Sequence, residues 1–285
     1  MPTANPAPTI LAVQSTYEDA NIVLFGAPYD GTTSYRPGTR FGPSAIRRES
    51  YGLESYSPQQ DADLEGAPIH DLGDLDLPFG GPDIPLAIIR ETVEGVAADD
   101  KIPVMLGGEH LVTLGAVEAI SHKYPDLHIL HFDAHTDLRE DYIGQRLSHA
   151  TVLRRCHDLL GDGRIFQLGI RSGLREEFSL GREGHVWQHL FDLDGLPEAI
   201  DQLRGHPVYV TIDLDVLDPS VFPGTGTPEP GGVSFQALAQ AIASLRGLHL
   251  VGADLVELSP PYDPSGISTA AAGKLLRELL LVILG

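Results

Sequence analysis

The 285-residue chain contains one cysteine, Cys156. A lone thiol excludes an intrachain disulfide and cannot build a thiolate cage for zinc. A reducing, cytoplasmic setting fits that usage. Long apolar runs are absent as well. The C-terminal LLRELLLVILG is interrupted by charge and is too short to cross a bilayer, so no membrane partner is expected. No basic-then-apolar signal segment opens the chain; MPTANPAPT reads as a frayed leader, and residues 1–18 are expected to be loosely ordered. Positive charge is scarce: 19 Lys and Arg face 40 Asp and Glu, a net charge of −21. That argues against nucleic acid as a partner, because phosphate contacts need a basic face. It leans weakly toward cationic ligands, and divalent metal held by several Asp would neutralise part of the excess. No repeat, linker or low-complexity segment divides the sequence, which reads as one domain over 1–285.

What is present is an alternation of strands and helices. Apolar runs predict strands at 20–27, 69–73, 102–106, 127–132, 164–169, 186–188, 207–213 and 248–257. Helical spacing predicts helices at 84–98, 111–124 (amphipathic), 148–160 with Ser148 as N-cap, 176–180, 196–204, 235–245 and 269–283, and one beginning near Pro43. Strands without polar alternation indicate a mostly parallel sheet covered on both faces, an α/β fold. In such sheets ligands bind beyond the carboxyl ends of the strands.

Three strand ends carry the same kind of side chain. In LHILHFDAHTD an apolar run leads into Asp133, His135 and Asp137. Alternate oxygen and nitrogen donors converge if the chain stays extended, so a metal ion is the natural partner; the plainer reading is an acidic turn. VMLGGEH leaves His110 near a helix start after two glycines. VYVTIDLDVLDP runs into Asp213 and Asp215, whose period-two spacing places both carboxylates on one face, where they need a proton or a cation between them. Each motif alone is weak. Together, His110, Asp133, His135, Asp137, Asp213 and Asp215 form a set of oxygen and imidazole donors suited to manganese, iron, cobalt or zinc. Six ligands exceed the needs of one catalytic ion and fit two ions sharing carboxylates, with a water between them acidified enough to give hydroxide at neutral pH.

GGEH, DAHTD and DLDVLDP, in this order, resemble the ureohydrolases, the family of arginase and agmatinase. The resemblance runs from about residue 26 to about residue 274, and SYRPGTRFGPSAIR, GTGTPEPGG and VELSPPYDPS look most like the agmatinase branch. One departure is Glu109, where many members carry Asp. The resemblance implies a three-layer α/β/α sandwich with an eight-stranded sheet and two Mn2+ per chain. One ion would be held by His110, Asp133, Asp137 and Asp213, the other by Asp133, His135, Asp213 and Asp215. It further implies a homo-oligomer, trimer or hexamer.

Guanidinium hydrolysis also needs a group to hold the planar cation and a proton donor for the leaving amine. Glu257, at the end of LHLVGADLVE, is the candidate for the first, since a carboxylate binds guanidinium bidentately. Asp254 is read as structural. His149, after the N-cap Ser148, is the candidate proton carrier, a role that the family gives to a His in this loop. Asp137 would also orient the hydroxide. No role falls to the other histidines, His128 and His131 included, and Cys156 is read as packing. The substrate expected is a small cationic guanidino compound, agmatine first, cleaved to putrescine and urea. Arg139 and Arg146 keep a carboxylate-tailed alternative such as 4-guanidinobutyrate open, and the 224–232 loop is expected to shape the pocket. A metal-dependent deacetylase normally uses one zinc and another ligand set; a non-catalytic binding protein on this scaffold would be expected to have lost part of this one.

Overall fold

The computed structural model describes residues 10–285. Strands β1 (Ile22–Ala27), β2 (Tyr56–Ser57), β3 (Ala62–Asp63), β4 (Ile69–Asp74), β5 (Ile102–Gly107), β6 (His128–Phe132), β7 (Ile165–Ile170), β8 (Trp187–Leu190), β9 (Pro207–Asp213) and β10 (His249–Val256) alternate with eight helices. These are α1 (Gly42–Ser50), α2 (Asp83–Ala98), α3 (Val112–Lys123), α4 (Val152–Leu160), α5 (Arg175–Arg182), α6 (Leu196–Leu203), α7 (Phe235–Ser244) and α8 (Ile267–Leu284). Eight strands form one sheet in the order β4-β1-β5-β10-β9-β6-β7-β8, every pairing parallel. The β2–β3 pair is a separate antiparallel ribbon.

The strands are apolar on both sides because both faces are covered. Along β1, Ile22 and Leu24 enter one core while Phe25 and Ala27 enter the other; along β9, Val208, Val210 and Ile212 oppose Tyr209 in the same way. Helices α1, α6, α7 and α8 pack on the first face and α2, α3 and α4 on the second, which makes the three layers expected. Helix α3 departs from the expected amphipathic pattern over its first half: Val112 to Val117 are all buried, because α3 is wedged between α2 and α4. No described helix is long and apolar enough to cross a membrane.

Residues 1–9 of the expected leader lie outside the described residues. For residues 10–13 the expectation of looseness fails: Ile10, Leu11 and Val13 are buried in the first core, and the Leu11 N–H donates to the Ser50 hydroxyl at 3.3 Å. Three apolar side chains in four positions gain more from burial than a frayed end would leave them.

Parallel pairing also brings the chemistry together. Leu106 lies beside Leu255, Val256 beside Asp213, and Phe132 beside Ile212. Four adjacent central strands, β5, β10, β9 and β6, therefore end level with one another. With parallel strands about 4.8 Å apart, their C-terminal ends lie within roughly 15 Å.

Candidate metal centre

Each central strand delivers one part of the site. After β5 the chain turns at Gly107 and Gly108. A Cβ on Gly108 would stand 1.9 Å from the Tyr29 carbonyl oxygen, so only glycine lets the two backbones meet. The Gly108 and Glu109 N–H groups donate to the Ala27 and Tyr29 carbonyls (2.9 and 2.8 Å), which fixes where His110 begins.

His110 Nδ1 faces three carboxylates: Asp137 Oδ2 at 3.2 Å, Asp133 Oδ2 at 3.3 Å and Asp213 Oδ2 at 3.4 Å. Its other nitrogen, Nε2, lies 3.0 Å from the Thr211 hydroxyl oxygen. Thr211 gives its own proton to Asp254 at 2.6 Å, so it can only accept from His110. His110 therefore carries its hydrogen on Nε2 and turns a lone pair on Nδ1 toward the carboxylates. That buried nitrogen has no hydrogen-bond partner. Four potential donor atoms converging at one buried point fit a divalent cation, or protons where no cation is bound.

A second cluster lies alongside. His135 Nδ1 is 3.0 Å from Asp215 Oδ2 and 3.5 Å from Asp133 Oδ1. Asp133 thus offers one oxygen to each group, the geometry of a bridging carboxylate. All six donors predicted from the motifs come together here. The means differs from the expectation, though. The strands stop at Phe132 and Asp213, and the donors converge by turning rather than by extended alternation. Leu214 to Val216 form a 3-10 turn in which the Asp215 N–H donates to Asp213 Oδ1 (2.8 Å), and Asp137 has a left-handed backbone, φ 52°.

The electrostatics show how poorly this cluster tolerates being without a cation. Burial and then Asp133 push the Asp137 carboxyl up to about 7, and burial, Asp215 and Asp133 push Asp213 well above its usual range. Burial alone would lower His110 and His135, but the facing carboxylates outweigh it and hold both well above an ordinary imidazole. Two other His and Asp groups among the described residues, Asp126/His128/His206 and His157/Asp162/His185, differ in kind. In the second, one Asp162 oxygen is hydrogen-bonded to both imidazoles, at 2.8 and 2.9 Å, so protons already satisfy it.

Glu257 follows β10 with φ 66°, another left-handed residue at the site. Its Oε1 accepts from the His110 N–H at 2.8 Å, and the carboxylate lines the cavity in front of the cluster. Burial and the neighbouring Glu109 push its carboxyl well above the normal range, a state that a bound cation would reverse. His149 sits in a 3-10 turn ahead of α4, where the Ser148 N–H donates to the Thr151 hydroxyl at 3.0 Å. Its Nδ1 lies 3.1 Å from the Thr32 carbonyl, which can only accept, so Nδ1 carries the hydrogen and Nε2 is left as the free base. Burial lowers the His149 imidazole to about 4, so it is neutral near pH 7.

One histidine and one acid read differently from the expectation. His131, given no role, is fully buried with Nε2 2.8 Å from Asp133 Oδ2. Gln167 Nε2 must donate to the Thr136 carbonyl (2.7 Å), so the same amide also donates to His131 Nδ1 (2.9 Å). His131 then donates to Asp133 and orients it. Asp254, read as merely structural, holds Thr211 and through it the His110 tautomer. The available signal was a carboxylate interrupting an otherwise apolar strand, which demands a buried partner. His128 caps the carbonyl of Asp126, away from the centre, and Cys156 is buried packing as expected.

The cavity in front of the cluster has a volume of about 200 Å³. Ser34 and Tyr35 from the loop after β1 line it, as do Arg139, Tyr142, Glu177 and Thr227, so the loop after β1 and, as expected, the 224–232 loop both reach it. Thr227 donates to Asp215 Oδ2 at 3.1 Å. Arg146 does not reach it; it is exposed and paired with Glu140 and Asp158.

A parallel eight-stranded sheet with this constellation at its carboxyl edge defines the arginase fold, and the family model described as the arginase family matches residues 20–282. The chain belongs to the arginase family, as an agmatinase-like ureohydrolase. It is 48% identical to an agmatinase of Bacillus cereus over 93% of each chain. It is 36% identical to the mitochondrial guanidino acid hydrolase of Homo sapiens, over 96% of this chain and 81% of that one. Among solved structures it resembles the agmatine ureohydrolase of Thermoplasma volcanium, with a TM-score of 0.87, 37% identity, and 99% and 95% of the two chains covered.

Proposed function

We propose that the chain hydrolyses agmatine to putrescine and urea at a centre holding two manganese ions. His110, Asp133, Asp137 and Asp213 would hold one ion; Asp133, His135, Asp213 and Asp215 would hold the other. Bound there, the ions supply a water acidified enough to act as nucleophile at neutral pH. The remaining work belongs to side chains. Glu257 binds the guanidinium and sets its plane against the cluster. Asp137, beside it in the cavity lining, orients the nucleophile. His149, neutral and with Nε2 unprotonated, carries a proton to the leaving amine.

The observation that favours agmatine is the charge of the lining. Asp137, Glu177, Asp213 and Glu257 face the cavity, whereas Arg139 is its one permanent cation. That cation is engaged: its guanidinium lies 4.7 Å from the Tyr142 ring centroid and 3.7 Å from Glu177. A substrate with a cationic tail meets no unpaired positive charge. Arg139 also supports the second reading, a guanidino acid whose carboxylate would displace Glu177 as its partner. Urea release by the manganese-loaded protein from agmatine, arginine and 4-guanidinobutyrate decides between them. Agmatine is expected to give the highest kcat/KM. A higher value for 4-guanidinobutyrate would replace the first reading with the second, and no urea from any of the three would overturn both.

A further inference from the structure

Glu109 is a buried carboxylate that takes no part in the metal cluster. It is fully excluded from solvent, and both of its oxygens are turned toward the loop after β1. The Thr32 N–H reaches both oxygens at 3.1 Å, the Thr32 hydroxyl donates to Oε1 at 2.7 Å and the Thr33 hydroxyl to Oε2 at 2.9 Å. A carboxylate buried this deeply is retained only where its donors are held in place in return.

The next link runs from Thr32 to His149. Because the Thr32 hydroxyl has given its single proton to Glu109, its oxygen is left as an acceptor, and the His149 N–H donates to it at 3.1 Å. The Thr32 peptide is pinned by its own N–H on Glu109, and its carbonyl accepts from His149 Nδ1 at 3.1 Å. Both the backbone and the ring of His149 are thus aimed by one residue, which is itself oriented by Glu109. The Tyr142 ring meets the imidazole edge-on at 5.5 Å, limiting its swing.

We propose that Glu109 is a positioning residue for His149, acting through Thr32 so that the unprotonated Nε2 is presented to the leaving group. The same turn that starts His110 therefore also aims the proton carrier, tying the two halves of the site to one glycine-hinged corner of β5. This rests on the proton-carrying role given to His149 above.

The test is a set of variants assayed as full-length, manganese-loaded protein with agmatine: His149→Asn, Glu109→Gln, Thr32→Val, Thr32→Ser, and Thr32→Val combined with His149→Asn. Glu109→Gln and Thr32→Val are expected to lower kcat roughly 10- to 100-fold, the effect of a misaimed group. KM should stay within about twofold and bound manganese per chain should not change. Thr32→Ser, which keeps the hydroxyl, should recover most of the loss. The double variant should be no slower than His149→Asn alone, because Thr32 acts only through His149. A purely structural clamp would instead lower metal content or melting temperature, and its losses would multiply with those of His149→Asn; either result overturns the proposal. If His149→Asn slows turnover and Thr32→Val does not, the proposal alone falls. If His149→Asn turns over like wild type, the role of His149 falls and takes the proposal with it. Should Glu109→Gln fail to fold, the Thr32 pair and the double variant still decide.

Discussion

A single imidazole illustrates how burial sets a protonation state at this site. His149 is lowered to about 4 by burial first, then by the charges of His135, His110 and Arg139, with the Thr32 carbonyl opposing them. In the unfolded chain the same group titrates near 6.5. The unfolded state therefore takes up the proton first as the pH falls. The stability that neutral His149 contributes is complete above about pH 6.5 and is lost progressively toward pH 4. Between pH 7 and pH 5 this loss is about 2 kcal/mol at most. His149→Asn does not titrate and escapes it. Urea unfolding at the two pH values should show wild type losing about that much more than the variant; equal losses would show that the imidazole is not held neutral by the fold. At this scale, the residues legible in the sequence were the six of the donor cluster, because their type and spacing already point to metal chemistry. Those that orient them were not: Thr211, Asp254, Gln167 and Thr32 come from other strands and loops, and only the folded register shows what each one touches.

Among the elements, the β5–α3 turn sets the tightest tolerance. A Cβ on Gly108 would meet Tyr29 O at 1.9 Å and Tyr29 C and N at 2.7 Å, all backbone atoms that cannot rotate away. Gly108→Ala should separate β1 from this turn and break the Glu109-to-Tyr29 bond, a destabilisation of roughly 1–3 kcal/mol or more. It should also weaken metal binding, since His110 is the second residue on. Thermal melting together with metal content after dialysis checks both; a variant that keeps its metals and melts like wild type would show the contact to be slack. The strands themselves were readable because doubly covered parallel strands are uninterrupted apolar runs, as in Val208 to Ile212. The β2–β3 ribbon was not, since two-residue strands leave no periodicity to read. The DxD pair misled in a specific way. Period two holds only while a strand lasts, and β9 ends at the first Asp, so Asp215 arrives by a 3-10 turn.

Across the whole molecule, a chain of net charge −21 buries Asp133, Asp137, Asp213, Asp215 and Glu257 at one edge of its sheet. Fold class was legible here from the alternation of elements alone. The concentration of charge was legible only once three strand ends were taken as neighbours, which the order β5-β10-β9-β6 makes them. Cations bound to that edge stabilise the native state and not the unfolded one, so a chelator should lower the melting temperature. At ion concentrations 100 times the dissociation constant, the linkage is worth about 2.7 kcal/mol per ion, so two ions would shift the melting temperature by about 10 °C for a chain of this size. The effect has a definite pH dependence. In the metal-free fold Asp137 titrates at about 7 and Asp213 is raised well above its usual range. A raised pKa means that the native state takes up protons before the unfolded one does, so the metal-free protein gains stability as the pH falls through those values. The metal-bound protein has no such sites free, and protons compete with its ions. The gap between the melting temperatures with and without chelator should therefore be larger at pH 8 than at pH 6. A gap that widens toward pH 6, or no effect of chelator at either pH, would mean that these carboxylates are balanced by something other than bound metal.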